Sequence, residues 1–183
     1  MAQANDALLV IDMQKGFDDP RWGTRNNPHA EANGLKVLNH WRVLGRPLFI
    51  VRHDSLSPES TLRPGQSGND LKPGFAPEGD DRLVTKHVNS AFIGTDLEAQ
   101  LRLAGITAVT LFGLTTDQCV STTARMASNL GFATTLVEDA CACFAQTSYH
   151  GDVVSAEVLH VAHVTTLLTE FARVVTTQDI LRS

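Results

Sequence analysis

The sequence predicts a three-layer α/β domain: a six-stranded, mostly parallel sheet in the order 3-2-1-4-5-6, with helices on both faces. Three observations lead there. Short, β-branched apolar runs recur along the chain and stop abruptly at polar residues, as strands buried on both faces do. Stretches with apolar residues at helical spacing separate those runs, and glycines close them. Each strand, helix and strand in succession must cross over right-handed, which lays the helices on the faces of one sheet.

The first run, Ala7 to Ile11, ends at Asp12 in "LLVIDMQKGF" and reads as a buried strand with a carboxylate at its carboxyl end. The segment after Asp12, through Asp18, Asp19, Pro20 and Trp22 to Pro28, is rich in turn formers and reads as a loop, and its Phe17 and Trp22 are rings that can wall a pocket. Ala32, Leu35, Leu38, Val43 and Leu44 recur at helical spacing between His29 and Leu44, and Gly45 closes that helix. The second strand is "PLFIVRH", with Pro47 tolerated at its first position and His53 and Asp54 emerging at its end. Ser55 to Asp81, with four prolines, four glycines and no sustained period, is a long irregular loop. "RLVTKHVNSAF" supplies a third strand ending near Lys86, and Thr95 or Asp96 caps a helix that Gly105 terminates. Val109 to Phe112 is the fourth strand and Gly113 the turn after it. Asp117 is the expected N-cap of a helix running to Leu130 and closed by Gly131, which puts Cys119 in the first turn. "FATTLVEDA" is the fifth strand, Asp152 to Phe171 a long last helix, and "ARVVTTQDILRS" a sixth strand with a short helical tail. Neither a repeat nor a linker divides the chain, so residues 1–183 are expected to form one domain.

A hydrophobic fraction of 43% is that of an ordinary globular protein, and a net charge of −5 without a run of Lys or Arg argues against nucleic acid or an anionic membrane as partner. A small molecule is the expected partner. The amino terminus lacks a basic region followed by a long apolar segment, which points to a cytoplasmic protein. Three cysteines, two of them only two residues apart, do not make a disulfide framework and are read as thiols.

In a sheet of this order, ligands bind beyond the carboxyl ends of the strands where the order reverses, between strands one and four. Asp12 ends strand one, Cys119 follows strand four, and Lys86 reaches the same rim with its long side chain. A helix start and a neighbouring ammonium are expected to favour the Cys119 thiolate, and Asp12 can take the thiol proton and return it to a leaving amine. Backbone N–H groups of the "GLTT" turn can face the same point as oxyanion donors. His53 and Asp54, on the same rim, fit substrate contact and structural hydrogen bonding equally well. Phe92 can wall a pocket or belong to the core. Cys141 and Cys143 are read as packing, and His160 and His163 as a polar helix face.

The segments "LLVIDMQKGF", "VTKHVNSAFIGTDLEAQLRLAGI", "VTLFGLTTDQCVSTTARMASNLGF" and "VEDACACF" resemble, in order and spacing, the isochorismatase-like cysteine hydrolases. That family includes nicotinamidases, N-carbamoylsarcosine amidohydrolase and ureidoacrylate hydrolases. The resemblance implies an Asp–Lys–Cys triad at Asp12, Lys86 and Cys119, a cis peptide between Leu114 and Thr115, and an oxyanion hole from the Thr115 and Cys119 N–H groups. It also implies a dimer or tetramer, with no cofactor. Nicotinamidases carry an Asp-x-His metal motif after the second strand, where this chain has His53 and Ser55, so no metal is expected. The implied reaction is cleavage of a C–N bond in a small amide, ureido or carbamoyl substrate through a thioester. Phe17, Trp22, His53 and Phe92 are the expected substrate contacts. Isochorismatase or nicotinamidase activity, or a thiol-based binding or sensor protein on the same fold, are the alternatives.

Overall fold

The computed structural model describes residues 5–182. Its main sheet is built from β1 (Asp6–Ile11), β2 (Leu48–His53), β3 (Arg82–Lys86), β4 (Ala108–Gly113), β5 (Ala133–Val137) and, after a short hairpin of β6 (Gln146–Thr147) and β7 (Val153–Val154), β8 (Arg173–Val175). The order is β3-β2-β1-β4-β5-β8, with every neighbouring pair parallel. This is the expected topology, with β8 as the sixth strand. Helices α1 (Ala30–Val43), α2 (Leu97–Leu103), α3 (Ser121–Asn129), α4 (Ala156–Glu170) and α5 (Thr177–Leu181) connect or follow the strands. Packing of α1 with α5 covers one face, and packing of α3 with α4 covers the other.

All residues of β1 and β4 are buried, which is why neither shows the alternation of a strand with one wet face. The two pair along their full length, from Asp6 with Ala108 to Ile11 with Gly113. At the end of that ladder Gly113 has φ 144°, and a Cβ there would lie 2.0 Å from the Ile11 carbonyl oxygen, so only glycine lets the chains stay this close. Asp12, one residue beyond β1, has φ 49°, a left-handed conformation that an L residue adopts only when its surroundings hold it there. The last turns of β1 and β4 are therefore locked together at the switch point.

Two boundaries differ from the sequence expectation. The last helix begins after Ser155, whose hydroxyl accepts from the Val158 N–H, because Val153–Val154 pairs with Gln146–Thr147. Ahead of α3 the chain makes a wide π-type turn over Thr116–Val120, for which Thr115 is the cap. Asp117 is not the N-cap; its carboxylate accepts from the Gln146 side-chain amide across the rim. Long-range hydrogen bonds organise the long loop after β2. Asn69 Nδ2 donates to the carbonyls of His53 and Leu62 and to Asp54. No helix among the described residues is long and apolar enough to cross a membrane.

Candidate active site

Asp12, Lys86 and Cys119 converge at the carboxyl ends of β1, β3 and β4. Lys86 leaves the end of β3 and crosses the intervening strand, and its Nζ lies 2.7 Å from Asp12 Oδ2 and 3.3 Å from Cys119 Sγ. The Val88 carbonyl accepts from the same ammonium at 3.1 Å. Asp12 and Lys86 are 0% exposed and Cys119 is 5% exposed. At that depth each charge offsets part of the desolvation penalty that the other would face alone.

Cys119 sits within the wide turn. The peptide between Leu114 and Thr115 is cis. The Thr116 N–H donates to the Ala142 carbonyl at 2.9 Å, and those of Gln118 and Val120 donate to the Thr115 carbonyl. These bonds commit the Thr116, Gln118 and Val120 N–H groups within the turn.

The electrostatics at sulfur run against the sequence expectation of a resting thiolate. Burial pushes the Cys119 thiol well above its ordinary range, the Asp12 charge pushes it further, and Lys86 opposes both without overcoming them. Placement at a helix start does not compensate for loss of water. Burial therefore favours the thiol form of Cys119 at rest.

His53 is more central than a pocket wall. Its Nδ1 is 3.1 Å from Lys86 Nζ, 3.8 Å from Cys119 Sγ and 3.8 Å from Asp12 Oδ2. An ammonium can only donate, so Nδ1 accepts and the ring proton resides on Nε2. Buried Gln14 grips the His53 backbone from both sides, accepting from its N–H at 2.8 Å and donating to its carbonyl at 3.0 Å. Asp54 takes no part here, being paired with Arg52 and Asn69. Phe17 and Trp22 form an aromatic cluster with Phe144, with centroids 5.1 to 6.3 Å apart, among loops that follow β1 and β5. Phe92 instead stacks at 6.0 Å on Phe132, which precedes β5 at the end of the sheet opposite the rim, so this ring belongs to the core. His160, read from the sequence as part of a polar face, is buried and lies 2.9 Å from Thr116 Oγ1. Its stripe with Ala156 and Leu167, the other buried residues of α4, is the signal that could have found it.

Asp12, His53 and Cys119 offer ligand atoms within 4.8 Å of one another, a donor set of the type that holds Zn²⁺. The Lys86 ammonium, however, lies 2.7, 3.1 and 3.3 Å from the three, so a divalent ion there would meet a fixed positive charge. The residues present do not fit a metal at this point.

A parallel α/β sheet with a buried Asp, Lys and Cys and a half-buried His grouped at its switch point defines the class: cysteine hydrolases built on a three-layer α/β sheet. The comparisons carry this to a family. The isochorismatase domain model matches residues 6–179, and the chain belongs to the isochorismatase family. An uncharacterised isochorismatase family protein of Bacillus subtilis, YrdC, is 43% identical over 96% of this chain and 94% of its own length. The crystal structure of an isochorismatase-family protein from Chromobacterium violaceum superimposes with a TM-score of 0.95 at 44% identity, covering 100% of this chain and 94% of that one. N-carbamoylsarcosine amidase from Thermoplasma acidophilum has the same fold, with a TM-score of 0.75 at 27% identity over 94% of this chain and 96% of that one.

Proposed function

We propose that this isochorismatase-family hydrolase cleaves a C–N bond in a small amide, ureido or carbamoyl substrate through a thioester on Cys119. The observation that carries the reading is the placement of the Lys86 ammonium 2.7 Å from Asp12 and 3.3 Å from Cys119 in a buried site. A relative that acts on a carbamoyl compound, the Thermoplasma amidase, supports the substrate class.

The raised thiol shapes the mechanism. Sulfur loses its proton to Asp12 only as it bonds to the substrate carbonyl carbon, so the thiolate never stands alone in a dry site. Lys86 neutralises the charge passing between Asp12 and sulfur. The carbonyl oxygen becomes an oxyanion held by the Thr115 and Cys119 N–H groups, where one such donor is typically worth about 3 kcal/mol. Asp12 returns the proton to the leaving nitrogen, the C–N bond breaks and the amine departs. Water then attacks the thioester, giving the carboxylic acid and regenerating the thiol. The His53 Nε2–H and the Phe17 and Trp22 rings are the proposed substrate contacts. The dimer or tetramer implied by the family is tested by sedimentation.

Intact-mass spectrometry with a panel of small amides, ureides and carbamoyl compounds tests the reading. A transient acyl adduct followed by product is expected for the wild type, and neither for Cys119→Ala. Turnover at the wild-type rate by Cys119→Ala would sink the mechanism. A stable adduct without product would mark a thiol sensor instead.

A further inference from the structure

His160 is a buried titratable residue that the reaction above does not use. It projects from α4 onto Thr116, the first residue of the wide turn, with 5% exposure. Its Nδ1 is 2.9 Å from Thr116 Oγ1, and its Nε2 is 3.4 Å from Glu138 Oε2. With Glu138 Oε2 accepting from Nε2–H, the ring proton sits on Nε2 and Nδ1 accepts from the Thr116 hydroxyl. The Thr116 N–H meanwhile donates to the Ala142 carbonyl. Thr116 is thus held through its backbone N–H and its side chain together. It directly follows Thr115 and stands three residues before Cys119.

We propose that Glu138, His160 and Thr116 form a positioning relay that fixes the oxyanion-binding turn, with His160 as the positioning residue at its centre. The inference rests on the Thr115 and Cys119 N–H groups serving as the oxyanion hole. His160 touches neither substrate nor sulfur in this scheme. It acts through Thr116, which it holds against rotation, and so keeps two N–H groups aimed at one point. Small misplacements of such donors are enough to lower a rate substantially.

An oxyanion hole matters for attack on a carbonyl and not for displacement at a saturated carbon. Two probes of the same sulfur separate these. With p-nitrophenyl acetate, the Cys119 sulfur bonds to the acetyl carbon, the ester C–O bond breaks and p-nitrophenol leaves with the thiol proton, visible as a burst. With iodoacetamide, sulfur gives up its proton and displaces iodide from the methylene carbon, a C–S bond replacing the C–I bond, and no oxyanion forms. For His160→Ala the burst rate is expected to fall about tenfold or more while alkylation stays within about twofold of wild type. His160→Asn, which keeps a polar atom near the Nδ1 position, is expected to recover most of the burst rate. Thr116→Val should reproduce the selective loss, and the double variant His160→Ala with Thr116→Val should lose little beyond either single one.

Equal falls in both reactions, an undiminished burst in His160→Ala, or fully additive losses would each overturn the relay. If His160→Ala does not fold, Thr116→Val decides alone, since an unchanged burst in that variant is equally fatal. A wild-type protein with no burst removes the acyl-transfer reading and the relay with it. A wild-type burst with unselective variants removes only the relay.

Discussion

Lys86→Met tests the charge balance of the site, because methionine keeps an unbranched chain of similar length and removes the ammonium. Asp12 then remains 0% exposed without its ion partner at 2.7 Å. His53 Nδ1, 3.8 Å from Asp12 Oδ2, serves in the wild type as an acceptor from Lys86. Removing one member of a buried ion pair destabilises a protein by about 3–5 kcal/mol. A chain of 183 residues loses about 2–4 °C of melting temperature per kcal/mol, so Lys86→Met is expected to melt about 6–20 °C below wild type at neutral pH. The double variant Asp12→Asn with Lys86→Met removes both charges and is expected to regain most of that loss. Neither variant should show the p-nitrophenyl acetate burst. Calorimetry and stopped-flow absorbance read the two effects separately. A Lys86→Met protein melting within about 2 °C of wild type would refute the claim that this pair balances buried charge.

Two further predictions concern titration. Burial lifts the Asp6 carboxyl from 3.8 to about 6, opposed by a hydrogen bond from Thr110 and the charge of Arg46. A folded-state value above the unfolded one gives stability that is full below about pH 4 and lost as pH rises through about 6, a difference of about 3 kcal/mol. Asp6→Asn should therefore match wild type in acid and melt higher at neutral pH, and a constant difference across that range would show that Asp6 is not the titrating group. The raised Cys119 thiol predicts that iodoacetamide alkylation keeps accelerating between about pH 7 and pH 9 without levelling. A plateau at or below about pH 7 would mean that the resting sulfur is already a thiolate.

Much of the site was legible because the strands that carry it are buried on both faces. Continuous apolar runs such as Ala7 to Ile11 and Val109 to Phe112 admit few alternatives, and the residues where they stop, Asp12 and Gly113, lie at the rim by construction. The Asp117 and Asp152 boundaries were missed for a different reason. Asp117 is drawn off by Gln146, and Val153 by pairing with Thr147, partners that no local period reveals. His160 was missed because its spacing with Ala156 and Leu167 marks a buried stripe but not the Thr116 hydroxyl that satisfies its ring, a partner distant in the chain.

Chain order, the parallel sheet and the meeting of Asp12, Lys86 and Cys119 at one switch point follow from local patterns and topology, and the sequence alone determines them. The protonation of Cys119, the tautomer of His53, the core position of Phe92 and the hold of His160 on Thr116 were decided only by the tertiary structure. Their physical reason is shared. Each depends on how much water is excluded and which charge or ring lies a few ångströms away, and those neighbours come from residues distant in the chain.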